Sequence, residues 1–254
     1  MNFKVHSVPH TLFAAVGLVH ELRKLGHSAQ LVDRINPHDH DVHIIYAANR
    51  VHKLPTNYIV YQTEVAKSQH FSPHYLKVLQ DALAVWEYAP ANIPAYENVQ
   101  RNITVVPPGY RQHPNNPKSI PVLFYGHIEG SLRRQQWLQV LQRKVGCEIV
   151  TNKLNQHMWA LLRQALVVVN IHYYDNSPLE LFRIHEALSF NCHVVSEGPV
   201  QLPYHQWVHF VDNPLDMVRA VYDLLQTRPA PHQVIQLSNT EQVEQALSRL
   251  KVVT

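Results

Sequence analysis

The sequence predicts an α/β protein made of two halves, each a parallel sheet covered by helices. Short apolar runs alternate with helix-period segments of about 10 to 15 residues through both halves. The runs are apolar at nearly every position, as strands buried on both faces must be, rather than alternately polar. A proline- and asparagine-dense stretch, "PPGYRQHPNNPKSIP" from Pro107 to Pro121, separates the halves and reads as a linker or hinge.

The first half opens with an extended "FKVHSV". Thr11–Leu25 follows as a helix, with Leu18, Leu22 and Leu25 on one face and Gly26 as its stop. "AQLVD" returns as a strand and completes a βαβ unit. "DVHIIYA" and "NYIVYQ" read as further buried strands, Tyr75–Ala82 as a helix, "LAVWEYA" as another strand, and "ITVVPPGY" closes the half.

After the linker come "PVLFYG" as a strand, Ser131–Val145 as a helix, "CEIV" as a strand and Asn155–Gln164 as a helix. "ALVVVNI" is the next strand, Pro178–Phe190 the next helix, then the strands "CHVVSE" and "VHFV" and the helix Pro214–Thr227. A last helix, Glu241–Leu250, has no strand after it.

With 254 residues, 46% of them hydrophobic, the chain has ample material for packed cores. The longest apolar run, Ala165–Ile171, is too short to span a bilayer, and Met1–Pro9 lacks a basic stretch leading into an apolar one. The expectation is a cytoplasmic protein with no signal peptide and no membrane span. Cys147 and Cys192, the two cysteines, each lie beside a strand and suit buried thiols in a reducing compartment. A formal charge of +3 without a lysine or arginine block argues against a nucleic-acid partner. Nineteen histidines are scattered with no HExxH or paired Cys/His spacing, so no metal site is expected.

The informative stretch is "VVVNIHYYDNSPLELFRIHEALSFNCHVVSE", Val167–Glu197. Residues just after a parallel strand sit at its carboxyl edge, where ligands bind and the next helix offers free N–H groups. His172–Ser177 takes that place. On the following helix Leu181, Ile184 and Leu188 form the core face, while Glu180, Arg183 and Glu186 share a polar one. Guanidinium beside carboxylate suits a ligand with both phosphates and sugar hydroxyls. A plainer reading stands beside it. Ser177, Pro178 and Glu180 spell a capping box, and Arg183 with Glu186 can be a solvated ion pair.

The order "PVLFYGHIEGSLRR", "VVVNIHYYDNSPLELFRIHEALS", "HVVSE" resembles the C-terminal half of GT-B glycosyltransferases of the group 1 kind. The N-terminal "LVHELRKLGHSAQLV", "NYIVYQTEVA", "AVWEYAPANI" and "ITVVPPGY" look like the first half of a small subgroup of that superfamily. The resemblance implies two Rossmann-like lobes facing a cleft. Residues 1–117 would form the acceptor side, 118–235 the nucleotide-sugar lobe, and 236–254 a helix returning to the first lobe. Glu186, in "HEALS", matches the glutamate that holds the donor ribose. Arg133 or Arg134 falls where members often place a basic residue for the donor diphosphate, and Gly126 where a glycine lets the backbone approach it. The two arginines can equally be a solvated first turn, although the helix dipole disfavours cations there unless an anion arrives. Pro178 stands where many retaining members carry a second glutamate, which leaves Glu180 as the nearest carboxylate.

Under that resemblance the reaction moves a sugar from a nucleoside-diphosphate sugar to an acceptor hydroxyl, with a growing glycan as the expected acceptor. Arg133, Arg134 and Arg183 would neutralise the leaving diphosphate without a metal or other cofactor. His172, Tyr173 and Tyr174 would line the donor site or simply pack. If the enzyme inverts, His10 and Glu64 are the candidates for general base, with Glu180 a further catalytic candidate. The rival readings are a transferase acting on a modified nucleic-acid base, an epimerase of the same architecture, and a catalytically silent nucleotide-sugar-binding module.

Overall fold

The structure is a computed structural model that describes all residues except 67, 176, 231–236 and 251–254. The ends of the segments expected at 118–235 and 236–254 therefore lie outside the described residues. The chain forms two compact units. One comprises Met1–Tyr110 and the segment from Leu237 on, the other Arg111–Gln236.

In the first unit the elements are β1 (Asn2–His6), α1 (Leu12–Lys24), β2 (Ser28–Leu31), β3 (Val42–Tyr46), β4 (Tyr58–Gln62), α2 (Pro73–Asp81), β5 (Ala84–Glu87), β6 (Ile103–Val105) and α7 (Thr240–Ser248). Its sheet is all parallel in the order β2-β1-β3-β4-β5-β6. All five residues of β3 and of β4 are buried, which is why those segments read as apolar at nearly every position, His43 and Gln62 excepted. Leu18 and Leu22 of α1 are fully buried as their spacing requires, and Ile45, Val60, Tyr75 and Leu79 pack together under α2. Helix α7 packs on β6 and α1. Beside it, Asn239 Nδ2 donates to the Pro107 carbonyl at 2.8 Å, and the Thr240 hydroxyl donates to the Glu21 carboxylate.

The second unit contains β7 (Ile120–Tyr125), α3 (Leu132–Val145), β8 (Glu148–Val150), α4 (Asn155–Gln164), β9 (Ala165–Asn170), α5 (Leu181–Ser189), β10 (His193–Glu197), β11 (Val208–Val211) and α6 (Pro214–Thr227). Its sheet, also all parallel, runs β11-β10-β9-β7-β8. Phe124, Leu138, Leu141, Val167, Val169 and Val221 belong to one core that joins α3 and α6 to the sheet. Within the proline-rich stretch expected as a hinge, Arg111–His113 is tied to this unit. The His113 N–H donates to the Ser189 carbonyl at 2.8 Å, and the His113 ring stacks on Phe190 at 4.1 Å.

One expected helix start moves. α5 begins at Leu181, not Pro178, and the capping box does not form. The Ser177 hydroxyl donates to the Tyr174 carbonyl at 2.9 Å, and the Glu180 carboxylate turns away to two arginines. Both cysteines are buried free thiols. Among the described residues no helix is long and apolar enough to cross a membrane.

Candidate active site

Strand order locates the site. The chain leaves β7 through α3 toward β8 at one edge, and leaves β9 through α5 toward β10 on the other side. Because β7 and β9 are neighbours whose connections diverge, their carboxyl ends border the switch-point crevice of the sheet. Tyr125–Gly126 forms one lip and Asn170–His172 the other.

Three guanidinia meet there. Arg134 is 2% exposed although it lies in the first turn of α3. It donates to the His127 carbonyl at 2.6 Å, to the Ile171 carbonyl, and to Glu180 Oε1 at 2.9 Å. Burial pulls this guanidinium down to about 10, so it stays charged at neutral pH. Arg183, from α5, donates to Asn170 Oδ1 at 2.6 Å, pairs with Glu180, and lies over the Phe124 and Tyr125 rings at 5.5 and 5.6 Å. Among the described residues its buried Nε has no hydrogen-bond partner. Arg133 pairs with Glu197 and, at 2.5 Å, with Asp175, and donates to the His172 carbonyl at 2.7 Å.

Glu180 thus lies between Arg134 and Arg183. Burial pushes its carboxyl up, and the two guanidinia more than offset this, so it ends below the usual carboxylate range. Asn170 carries the network onward by donating to the Ser196 hydroxyl at 2.9 Å. His172 is buried. Its backbone N–H donates to Glu197 Oε2 at 2.9 Å, and burial depresses its imidazole.

Two glycines make the crevice possible. Gly126 has φ +140°, and a methyl there would stand 2.7 Å from Arg183 Nη2. Its N–H is spent on the Val150 carbonyl at 3.1 Å, so what it contributes is room for the guanidinium. At Gly130, φ +79°, a methyl would stand 2.6 Å from the Tyr173 hydroxyl, which donates to the Glu129 carbonyl at 2.7 Å. The Tyr173 ring lies over Arg134 at 5.2 Å.

Glu186, one turn along α5, is half-buried and held at both oxygens. Trp159 Nε1 donates to Oε1 at 2.8 Å and the Tyr125 hydroxyl to Oε2 at 3.0 Å. Burial raises its carboxyl, and the two donors work against that rise.

The crevice of the second unit therefore collects Gly126, Arg133, Arg134, His172, Tyr173, Glu180, Arg183 and Glu186. His10 and Glu64 are in the first unit. The former is exposed in a single 3-10 turn after β1, and the latter follows β4. Sequence reasoning passed over Asn170, Glu197, Asp175, Tyr125 and Trp159. Asn170, Tyr125 and Glu197 did carry a signal, since each is the last residue of a buried strand.

No protein-family model matches the sequence, and no curated protein matches it. Solved structures do. The crystal structure of AviGT4, a glycosyltransferase involved in avilamycin A biosynthesis, aligns with 98% of this chain and 92% of its own at a TM-score of 0.57 and 14% identity. The fold is GT-B. The S. aureus MnaA–UDP co-structure aligns with 94% of this chain and 92% of its own at 10% identity, with a TM-score of 0.45, too low to bear on the fold. Two parallel Rossmann-like sheets are what the GT-B arrangement requires, and the switch-point crevice lies in the second of them.

Proposed function

We propose that the chain is a glycosyltransferase that moves a sugar from a nucleoside-diphosphate sugar to an acceptor hydroxyl, and that the second unit holds the donor. The observation that supports this best is the crevice between β7 and β9, where three guanidinia and the doubly held carboxylate of Glu186 converge. Guanidinia match diphosphate oxygens, and a carboxylate with open lone pairs matches a sugar diol.

The roles divide by burial. Arg134 is enclosed and already engaged, so it braces Glu180 and the β9 lip. Arg183 and Arg133 face the donor diphosphate. The Arg133–Asp175 pair gives way most readily, because the Asp175 side chain is 74% exposed and such pairs are worth about 0–1 kcal/mol. As the sugar–phosphate bond breaks, charge grows on the diphosphate oxygens. Guanidinia already held in place stabilise that charge without reorganising, and they stand in for a divalent metal. Glu186 binds the donor ribose, while His172 and Tyr173 wall the crevice. The acceptor, a glycan or another hydroxyl compound, is assigned to the first unit, whose His10 and Glu64 are the candidates for a general base.

Thermal shift against nucleoside diphosphates and their sugars tests donor binding. A ligand at a hundred times its Kd adds about 2.7 kcal/mol of stability. Glu186→Gln should keep the fold and lose about 1.5–3 kcal/mol of donor affinity, the worth of a charged hydrogen bond. Donor binding unchanged in Glu186→Gln would refute its role. Binding with neither donor hydrolysis nor transfer would mark a silent module.

A further inference from the structure

Glu186 is the one carboxylate of the crevice that no cation holds directly by hydrogen bond or ion pair among the described residues. Two neutral donors hold it instead, and they come from two other elements: the indole N–H of Trp159 on α4 at 2.8 Å and the hydroxyl of Tyr125 at the end of β7 at 3.0 Å. Each donor takes a different oxygen.

That division has a chemical consequence. A carboxylate oxygen has two lone pairs, so one donor on each oxygen leaves one lone pair open on each. With both oxygens tethered, the carboxylate plane is fixed rather than free to turn about its last bond. An indole N–H is a donor only and cannot reverse its bond, unlike a hydroxyl or an amide. Trp159 is itself placed against Phe190, with ring centroids 6.4 Å apart. Tyr125 is 9% exposed, and its single hydroxyl proton has the Glu186 carboxylate at 3.0 Å as the nearer acceptor and the Arg183 carbonyl at 3.3 Å as the farther one.

A fixed carboxylate with one open lone pair per oxygen accepts two O–H donors on neighbouring carbons. A ribose diol provides two, and 2′-deoxyribose provides one. We infer that Trp159 and Tyr125 are positioning residues for Glu186, and that through it they make the site select ribose over 2′-deoxyribose in the donor. The inference rests on the reading of this crevice as a nucleotide-sugar site. A deoxy ligand leaves an oriented, half-buried acceptor unpaired, and this is the condition under which hydrogen-bonding sites discriminate strongly.

The test is calorimetric titration of the full chain with UDP, dUDP, GDP and dGDP. For whichever base binds, the wild type should prefer the ribo form by about tenfold or more. Trp159→Phe keeps an aromatic ring but removes the N–H. It should bring the preference below about threefold, with the loss falling mainly on the ribo ligand. Tyr125→Phe removes a hydroxyl alone and should act in the same direction, so it decides the matter if Trp159→Phe fails to fold. Adding Trp159→Phe to Glu186→Gln should change the preference no further. A purely structural clip between α4 and α5 would lower stability while leaving the ribo/deoxy ratio where it was. Full wild-type preference in the folded variants overturns the inference and leaves the donor-site reading standing. No preference in the wild type for either pair overturns the inference and the ribose role of Glu186 with it, whereas no binding of any of the four overturns the donor-site reading itself.

Discussion

Replacing Gly126 with alanine concentrates the logic of the crevice in a single methyl group. The new carbon would lie 2.7 Å from Arg183 Nη2 at a backbone φ of +140°. Two costs follow. The backbone strain is about 1–3 kcal/mol for a residue with a side chain. The guanidinium must also move, and its bond to Asn170 Oδ1 at 2.6 Å is worth about 1.5–3 kcal/mol as a charge-assisted hydrogen bond. Together they predict a loss of about 2.5–6 kcal/mol from the second unit, together with weakened donor binding. Urea titration followed by tryptophan fluorescence reads this unit well, because Trp137, Trp159 and Trp207 belong to it and only Trp86 to the other. In an Arg183→Ala background the clash disappears and only the strain remains, so the total cost of Gly126→Ala should fall to about 1–3 kcal/mol. An unshifted midpoint in Gly126→Ala, or an equal cost with and without Arg183, would refute the reasoning.

The two neighbouring arginines should separate cleanly. Arg134→Ala leaves the half-buried Glu180 beside one cation fewer and should destabilise the fold by about 1.5–3 kcal/mol, whereas Arg133→Ala should fold normally and lose donor affinity, as denaturation and calorimetry would show. If guanidinia do the work of a metal, transfer activity should survive EDTA, and an absolute need for Mg²⁺ or Mn²⁺ would contradict this. In the first unit, Glu87 is fully buried and burial raises its carboxyl to about 7. The native state then holds a proton that the unfolded chain releases, so this contribution is full below about pH 4.5 and is lost as pH rises through about 7, roughly 3 kcal/mol in all. His6, pulled to about 4 by burial, works in the opposite sense, so the measurement is the difference between wild type and Glu87→Gln in urea at pH 4.5 and pH 8. An identical pH slope in the two proteins would rule the assignment out.

Much of the fold was legible because periodicity reports burial directly. β3, β4 and β9 read as largely apolar runs since both faces of each strand are covered. Helix α3 starts where Ser131 accepts the Arg134 N–H at 3.4 Å, as a local cap predicts. Local pattern failed where a distant partner competed. The Ser177–Glu180 capping box lost because Glu180 gains two guanidinia from α3 and α5, more than one backbone N–H offers. Trp159 gave no signal at all, since its partner lies 27 residues away on another helix and is reached only once β9 docks beside β7. Lateral strand order is set by non-local pairing, and no window of sequence contains it.

The segment from Leu237 onward rejoins the first unit, and this bears on the order in which a ribosome makes the protein. Val243 and Leu247 of α7 are buried, and Thr240 meets Glu21 from 219 residues away. At about 5–20 residues per second, the intervening second unit takes roughly 6–25 s to be synthesised. During that interval the nascent first unit displays the apolar surface that α7 will cover, and the second unit, contiguous in sequence, completes its core first. The emerging chain is therefore most exposed to chaperones and proteases in the half that was made earliest.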